Sequence, residues 1–186
     1  MSVGILLLAA GESTRYRAAC GRHKLLEPIG GEPMLARSYR IASESGLPVA
    51  VVLRPEPLAL RRCIAGARQI ILPSAGIASS IAAGVRATAD WHGWLIALAD
   101  MPWLEPDTFQ QAARALKEHA LVRACWQDQP GHPVGFRRDY YAQLAALSGE
   151  TAARELLAQR DVYRLATQDA GVVRDVDLPS MLSGEK

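Results

Sequence analysis

The chain opens with an unbroken apolar run, Val3 to Leu8, closed by the small residues Ala9-Ala10-Gly11. A short run without polar alternation predicts a strand covered on both faces, as in parallel sheets. Pro48–Leu53, Gln69–Leu72 and Trp94–Ala99 repeat this pattern. The stretches between them have helical spacing. Pro33–Ser45 sets Leu35, Tyr39 and Ile41 near one face, with Gly46 as a stop. Pro57–Ala67 and Ile77–Thr88 are shorter helical stretches. Pro106–His119 carries Pro106 and Asp107 in its first turn and Lys117 and His119 at its end, as the helix dipole favours.

Strands that alternate with helices imply right-handed βαβ units and a mainly parallel sheet. Leu121–Trp126 and Pro133–Phe136 flank Asp128-Gln129-Pro130-Gly131, a predicted turn, and read as a partly antiparallel addition. Arg138–Leu147 and Thr151–Arg160 are expected to be helices, Val172–Val176 a last strand, and 183–186 a loose tail. There is no repeat or linker, so residues 1–182 are expected to form one domain.

Composition narrows the classes. With 186 residues the chain is long enough for a full core, and 49% hydrophobic with 22% charged residues is ordinary for a globular protein. The formal charge is +2 and no long Lys/Arg run occurs, so no nucleic-acid partner is expected. The three cysteines, Cys20, Cys63 and Cys125, are widely spaced without a CxxC, which fits a reducing compartment. The N-terminal apolar run lacks a basic leader and is too short for a membrane span, so a cytoplasmic, membrane-free protein is expected.

Ligands of open parallel sheets sit beyond the C-terminal strand ends. There the chain reads Leu8-Ala9-Ala10-Gly11-Glu12-Ser13-Thr14-Arg15. Small residues let backbone approach a ligand, and successive N–H groups bind anionic oxygens. Ser13 and Thr14 add hydroxyls, and Arg15 adds a planar fork suited to phosphate. Lys24 follows, and Arg15, Arg17, Arg22 and Lys24 form the densest basic cluster of the chain. The alternative is a solvated loop whose cations only maintain solubility. The strand Trp94–Ala99 ends in Asp100, which would face the same crevice. Magnesium takes one or two carboxylates plus substrate phosphates. A turn-capping role before Pro102 is the simpler reading of Asp100 alone. Cys20, His23 and Cys63 match no zinc spacing, and Ser79 with His132 lacks the GxSxG elbow of a hydrolase.

Leu8–Arg15 with Gly21-Arg22-His23-Lys24-Leu25-Leu26 resembles the LAAGxSxR…GxxKLL signature of molybdenum cofactor cytidylyltransferases, within the MobA-like nucleotidyltransferases. Ile77–Gly84 is similar to their GMSSSLxxG, Ala99–Pro102 to xDMP, and Gly131–Val134 to GHPV. Gly149–Leu157 is similar to GDxGARxLL, and Asp175–Pro179 to DxDTPED. The resemblance covers nearly the whole chain and keeps the family order. It implies a Rossmann-like three-layer α/β/α fold of the nucleotide-diphospho-sugar transferase type. It also implies transfer of CMP from CTP to molybdopterin-bound molybdenum, with Mg2+ as cofactor and pyrophosphate as by-product. The product's recipient would be a molybdoenzyme or its maturation factor.

Carried over by residue, Leu8, Ala9, Ala10, Gly11 and Ser13 would border the nucleotide, with Ser79 and Ser80 near base or ribose. Lys24 and Arg15 would hold the triphosphate, and Asp100 the metal, with Asp177 a second ligand. Gly131 and His132 would line the acceptor side. The chain departs from the family in several places. Tyr16–Cys20 lengthens the segment between Arg15 and Lys24, and Ile77-Ala78 replaces Gly-Met. Glu150, Ala152 and Leu178 also differ from the pattern. Alternatives are another nucleotide such as GTP, another small phosphate acceptor, a non-catalytic binder of the pterin cofactor favoured by the long segment, or an oxidoreductase. The oxidoreductase lacks a dinucleotide fingerprint in this sequence.

Overall fold

A computed structural model describes residues 2–73, 76–149 and 161–182. The elements in chain order are β1 (Val3–Leu8), α1 (Thr14–Cys20), β2 (Pro28–Ile29), β3 (Glu32–Pro33), α2 (Met34–Glu44), β4 (Val49–Leu53), α3 (Leu58–Cys63), β5 (Arg68–Ile71), α4 (Ile77–Ala87), β6 (Gly93–Leu98), α5 (Pro106–Ala115), β7 (Leu121–Trp126), β8 (Gln129–Arg137), α6 (Tyr141–Ala145) and β9 (Tyr163–Ala166). A seven-stranded sheet runs β5-β4-β1-β6-β8-β7-β9, and β2 and β3 form a separate small hairpin. β5, β4, β1 and β6 are parallel neighbours. β1, β4 and β6 are buried as their apolar runs predict, whereas β5, expected to be covered on both faces, is the edge strand and stays half-buried to exposed because it has a neighbour on one side only. β8 enters antiparallel between β6 and β7, and β9 lies parallel to β7.

The side-chain period of two divides the core between the two faces of the sheet. Ile5 and Leu7 of β1 join Leu95, Met34, Leu35, Phe109 and Ala112, which places α2 and α5 on one face. Leu6 and Leu8 join Ile81, Val85, Trp94, Phe136 and Leu144, which places α4 and α6 on the other. The fold is therefore a three-layer α/β/α sandwich with a mostly parallel centre.

Several elements differ from the sequence expectation for identifiable reasons. α3 ends at Cys63 because the Gln69 amide of β5 donates to the carbonyls of Arg61 and Ile64, satisfying that helix end. The turn expected at Asp128–Gly131 lies at Gln127-Asp128, both left-handed with φ 46° and 65°, the two-residue geometry that matches strand twist. β8 therefore begins at Gln129. Opposite Gly131–Pro133 the ladder slips, advancing from Arg123 to Cys125 on β7 but from Val134 to Pro130 on β8. Proline has no N–H to donate there.

Tyr16–Cys20, read as a lengthened loop, is part of helix α1. Val172–Val176 is not a strand. Ala170–Val173 forms a 3-10 turn and the chain continues as an extended strap to Asp177. Val172 and Val176 are fully buried, so their apolar character reports packing and not a ladder. The strand at this edge of the sheet, β9, has the mixed sequence Tyr-Arg-Leu-Ala. The expected helix Thr151–Arg160 and the expected tail 183–186 lie outside the described residues.

Candidate functional site

The site is assembled at the C-terminal ends of β1 and β6. Beyond Leu8 the chain turns through buried Ala9 and Ala10 to Ser13, whose backbone is left-handed at φ 55°. That conformation is uncommon for a non-glycine residue and costs on the order of 1–3 kcal/mol. The neighbouring His23 supports it. Nδ1 of His23 lies 3.4 Å from Ser13 Oγ and accepts from the Leu25 amide at 3.3 Å. Burial, with smaller contributions from the Arg17 and Lys24 charges, pushes the His23 pKa down to about 4. The ring is neutral at pH 7 and buttresses the loop without competing for anions.

α1 returns the chain from Ser13 to Gly21, whose φ of 74° ends the helix. Lys24 then begins a 3-10 turn that aims its side chain back at the sheet edge. Its ammonium donates to Asp100 Oδ2 at 2.5 Å, to the Val176 carbonyl at 3.0 Å and to Asp177 Oδ1 at 3.4 Å. Arg15 closes the cluster with Nη1 2.7 Å from Asp177 Oδ2. Lys24 and Asp100 are largely buried, with side chains 13% and 18% exposed, whereas Arg15 is 75% exposed. The other oxygen of Asp100, Oδ1, is buried and without a hydrogen-bond partner among the described residues. An orphaned carboxylate oxygen beside a second carboxylate is a donor set suited to a hard divalent cation.

These groups line one cavity of about 510 Å³. Its walls are Leu8, Ala9, Ala10, Gly11, Glu12 and Ser13, then Arg15, Lys24 and Leu25, the start of α4 at Gly76, Ile77 and Ser80, and finally Leu98, Asp100, Asp175 and Asp177. The N-terminus of α4 has no acid in its first turn. Across Gly11 and Glu12 a broader depression of about 940 Å³ is lined by Arg17, His23, Arg54 and Glu56, among others. It contains neither Lys24 nor Asp100, so the converging charges belong to the smaller cavity.

Of the residues singled out in the sequence, Ser79 and the pair Gly131-His132 do not line that cavity. His132 lies half-buried on β8 with Nδ1 3.3 Å from the Ile96 carbonyl, and burial lowers its pKa. Gly131 is packed against the strap, and Arg123 Nε donates to its carbonyl at 3.2 Å. The sequence alone points to no role for the Val176 carbonyl, for Asp175 or for the buttress His23. The apolar strap sequence and the position of His23 directly before Lys24 were the available signals. All three cysteines are free, and no group of three or more His, Cys, Asp or Glu is placed to hold a metal among the described residues. Nor is any described helix long and apolar enough to cross a membrane.

A model of the MobA-like NTP transferase domain matches residues 5–165. Among curated proteins, the bifunctional protein GlmU of Kineococcus radiotolerans is 34% identical over 170 residues, covering 85% of this chain. The chain spans only 34% of that protein's length. A molybdenum cofactor guanylyltransferase of Rhodobacter capsulatus is 26% identical over 181 residues, covering 93% of this chain and 83% of the relative. Among solved structures, Rv0371c of Mycobacterium tuberculosis H37Rv superposes with a TM-score of 0.84 at 25% identity, covering 98% of this chain and 96% of that one. The same protein in complex with manganese gives 0.80 at 22% identity, covering 98% and 97%.

Proposed function

Since this chain belongs to the MobA-like NTP transferase family, we propose that it transfers CMP from CTP to a phosphate of the molybdopterin cofactor, releasing pyrophosphate, with Mg2+ as its metal. The observation that carries the reading is the convergence of Lys24, Arg15, Asp100 and Asp177 on the cavity walled by Leu8–Ser13. A triphosphate needs cations and backbone N–H groups on one side and a metal-binding carboxylate on the other. The cavity offers both.

In the proposed reaction an oxygen of the acceptor phosphate attacks the α-phosphorus of the nucleotide. The new O–P bond forms as the bond from the α-phosphorus to the bridging oxygen breaks, and pyrophosphate leaves with the electron pair. No protein nucleophile is required, because the acceptor oxygen is already anionic. Loop N–H groups and the N-terminus of α4 orient phosphate oxygens. Lys24 and Arg15 neutralise the charge that accumulates on the leaving group. Asp100 and Asp177 would hold the divalent cation, which when bound supplies electrostatic stabilisation of phosphate oxygens. Ser80, 3% exposed in the cavity wall, lies on the nucleotide side with the small residues of the loop. Ser79 precedes Ser80 on α4 outside the cavity lining, while Gly131 and His132 are assigned to the acceptor side.

The Leu-Ala-Ala-Gly turn and the Ser79-Ser80 pair resemble the cytidylyltransferase signature and favour CTP. The Rhodobacter relative is a guanylyltransferase and makes GTP the second reading. The non-catalytic alternative needs a long loop that keeps Lys24 away; the placement of Tyr16–Cys20 in α1 and the Lys24–Asp100 contact support the catalytic reading over it. The test supplies each nucleoside triphosphate with Mg2+ and a molybdopterin source and measures pyrophosphate. Release with CTP alone supports the proposal, release with GTP alone moves the specificity, and release with neither overturns the activity.

A further inference from the structure

We propose that Asp169, remote from the cavity, is a positioning residue that sets Asp177 opposite Asp100 through the strap 170–177. The inference rests on the reading of Asp177 as a metal-side carboxylate. Asp169 is 3% exposed, and three donors engage both oxygens of its carboxylate. Oδ2 accepts from the Glu105 amide at 2.9 Å and from Thr108 Oγ1 at 2.7 Å, at the start of α5. Oδ1 accepts from the Gly171 amide at 2.7 Å, at the start of the strap. One side chain thus fixes the strap's origin to a helix anchored in the core.

The eight residues from Ala170 to Asp177 then have little freedom. At Gly171 a Cβ would lie 2.1 Å from the Trp103 carbonyl oxygen, so the strap is pressed onto the loop that follows Asp100. At Gly131 a Cβ would lie 1.8 Å from the Val172 carbonyl oxygen, so β8 closes on it from the other side. Val172 and Val176 are fully buried. The Val176 amide donates to the Asp100 carbonyl at 2.9 Å, which registers the strap against the residue that carries the chemistry. The next residue is Asp177. A carboxylate placed this way has its position set by a rigid lever, and the lever's fixed end is Asp169. Charge-assisted hydrogen bonds in a buried setting are strong enough for such an anchor.

An asparagine at position 169 keeps one acceptor and turns an NH2 toward donors already present, whichever way the amide is flipped. The test compares the wild type with Asp169→Asn, Asp177→Asn and the double variant. The first readout is hydrogen exchange of the Val176 amide, which needs neither metal nor substrate. It is expected to speed up at least tenfold in Asp169→Asn. The second is the Mn2+ concentration giving half-maximal pyrophosphate release. Each single substitution is expected to raise it about tenfold, and the double variant no more than the larger single, because both act through one carboxylate. Unchanged Val176 protection in Asp169→Asn, or single effects that multiply in the double variant, overturns the proposal. If Asp177→Asn leaves the Mn2+ requirement unchanged, the metal-side reading of Asp177 fails and the proposal fails with it. If Asp177→Asn raises that requirement while Asp169→Asn does not, only the positioning role fails. Should Asp169→Asn not fold, Thr108→Val removes one donor to the same carboxylate and is expected to shift both readouts in the same direction by a smaller factor.

Discussion

The Lys24 ammonium lies 2.5 Å from Asp100 Oδ2 across 76 positions of sequence. Both side chains are largely buried, and Asp177 Oδ1 lies 3.4 Å from the same nitrogen. The lysine therefore contacts both of the carboxylates proposed to hold a divalent cation. On the proposed reading, lysine and metal would compete for Asp100 until a triphosphate offered the ammonium another partner.

It follows that Lys24→Ala binds Mn2+ more tightly than the wild type when no nucleotide is present, by about tenfold. The same variant loses roughly 10²–10³ in turnover, because a charge contact to the phosphates is gone. Electron paramagnetic resonance of free Mn2+ and pyrophosphate release measure the two effects. Equal Mn2+ affinity in both proteins would show that the lysine is no competitor.

Asp100→Asn is expected to reduce turnover at least as strongly, about 10²–10³, while retaining the fold. Asparagine has nearly the shape of the aspartate, whose side chain lines the cavity wall and is 18% exposed, so no packing is removed. Circular dichroism checks the fold. Full Mg2+-dependent turnover with an intact spectrum would contradict the role.

His23 predicts a specific acid sensitivity. Its folded pKa is about 4, against 6.5 for the free ring. Between these values the unfolded chain holds a proton that the folded ring refuses, so stability rises with pH through that window. The contribution is complete above pH 6.5 and is lost as pH falls toward 4. At about 1.4 kcal/mol per unit it amounts to a few kcal/mol. Urea unfolding of the wild type and His23→Gln across this range measures it, and parallel curves for the two proteins would refute it.

Gly131→Ala is expected to destabilise the protein by about 1–3 kcal/mol, because the new methyl meets backbone that cannot rotate away. The strap and β8 must separate locally. Chemical denaturation checks the energy, and an unchanged midpoint would show that the close approach is relaxed in solution.

Much of the architecture was present in linear order. The runs at β1, β4 and β6 are apolar without alternation because both faces of the central sheet are covered. That property belongs to each strand singly and is readable locally. The Gly-rich turn, Asp100 after β6 and Lys24 in its motif were legible for the same reason, since each is a short segment whose chemistry depends on its own residues. Tertiary structure decided what depends on partners distant in sequence. Tyr16–Cys20 became helix α1 because Tyr16 found a buried seat. The valines at 172 and 176 became a strap because the Val172 amide donates to the Asp169 carbonyl and the Val176 amide to the Asp100 carbonyl instead of to a ladder. The meeting of Lys24, Asp100 and Asp177, and the anchoring of that meeting by Asp169, arise only when 150 or so residues of chain fold back on themselves. Hydrogen bonds and ion pairs between such segments leave no periodic trace in the sequence, because each partner is a single residue whose role is set by its neighbours in space.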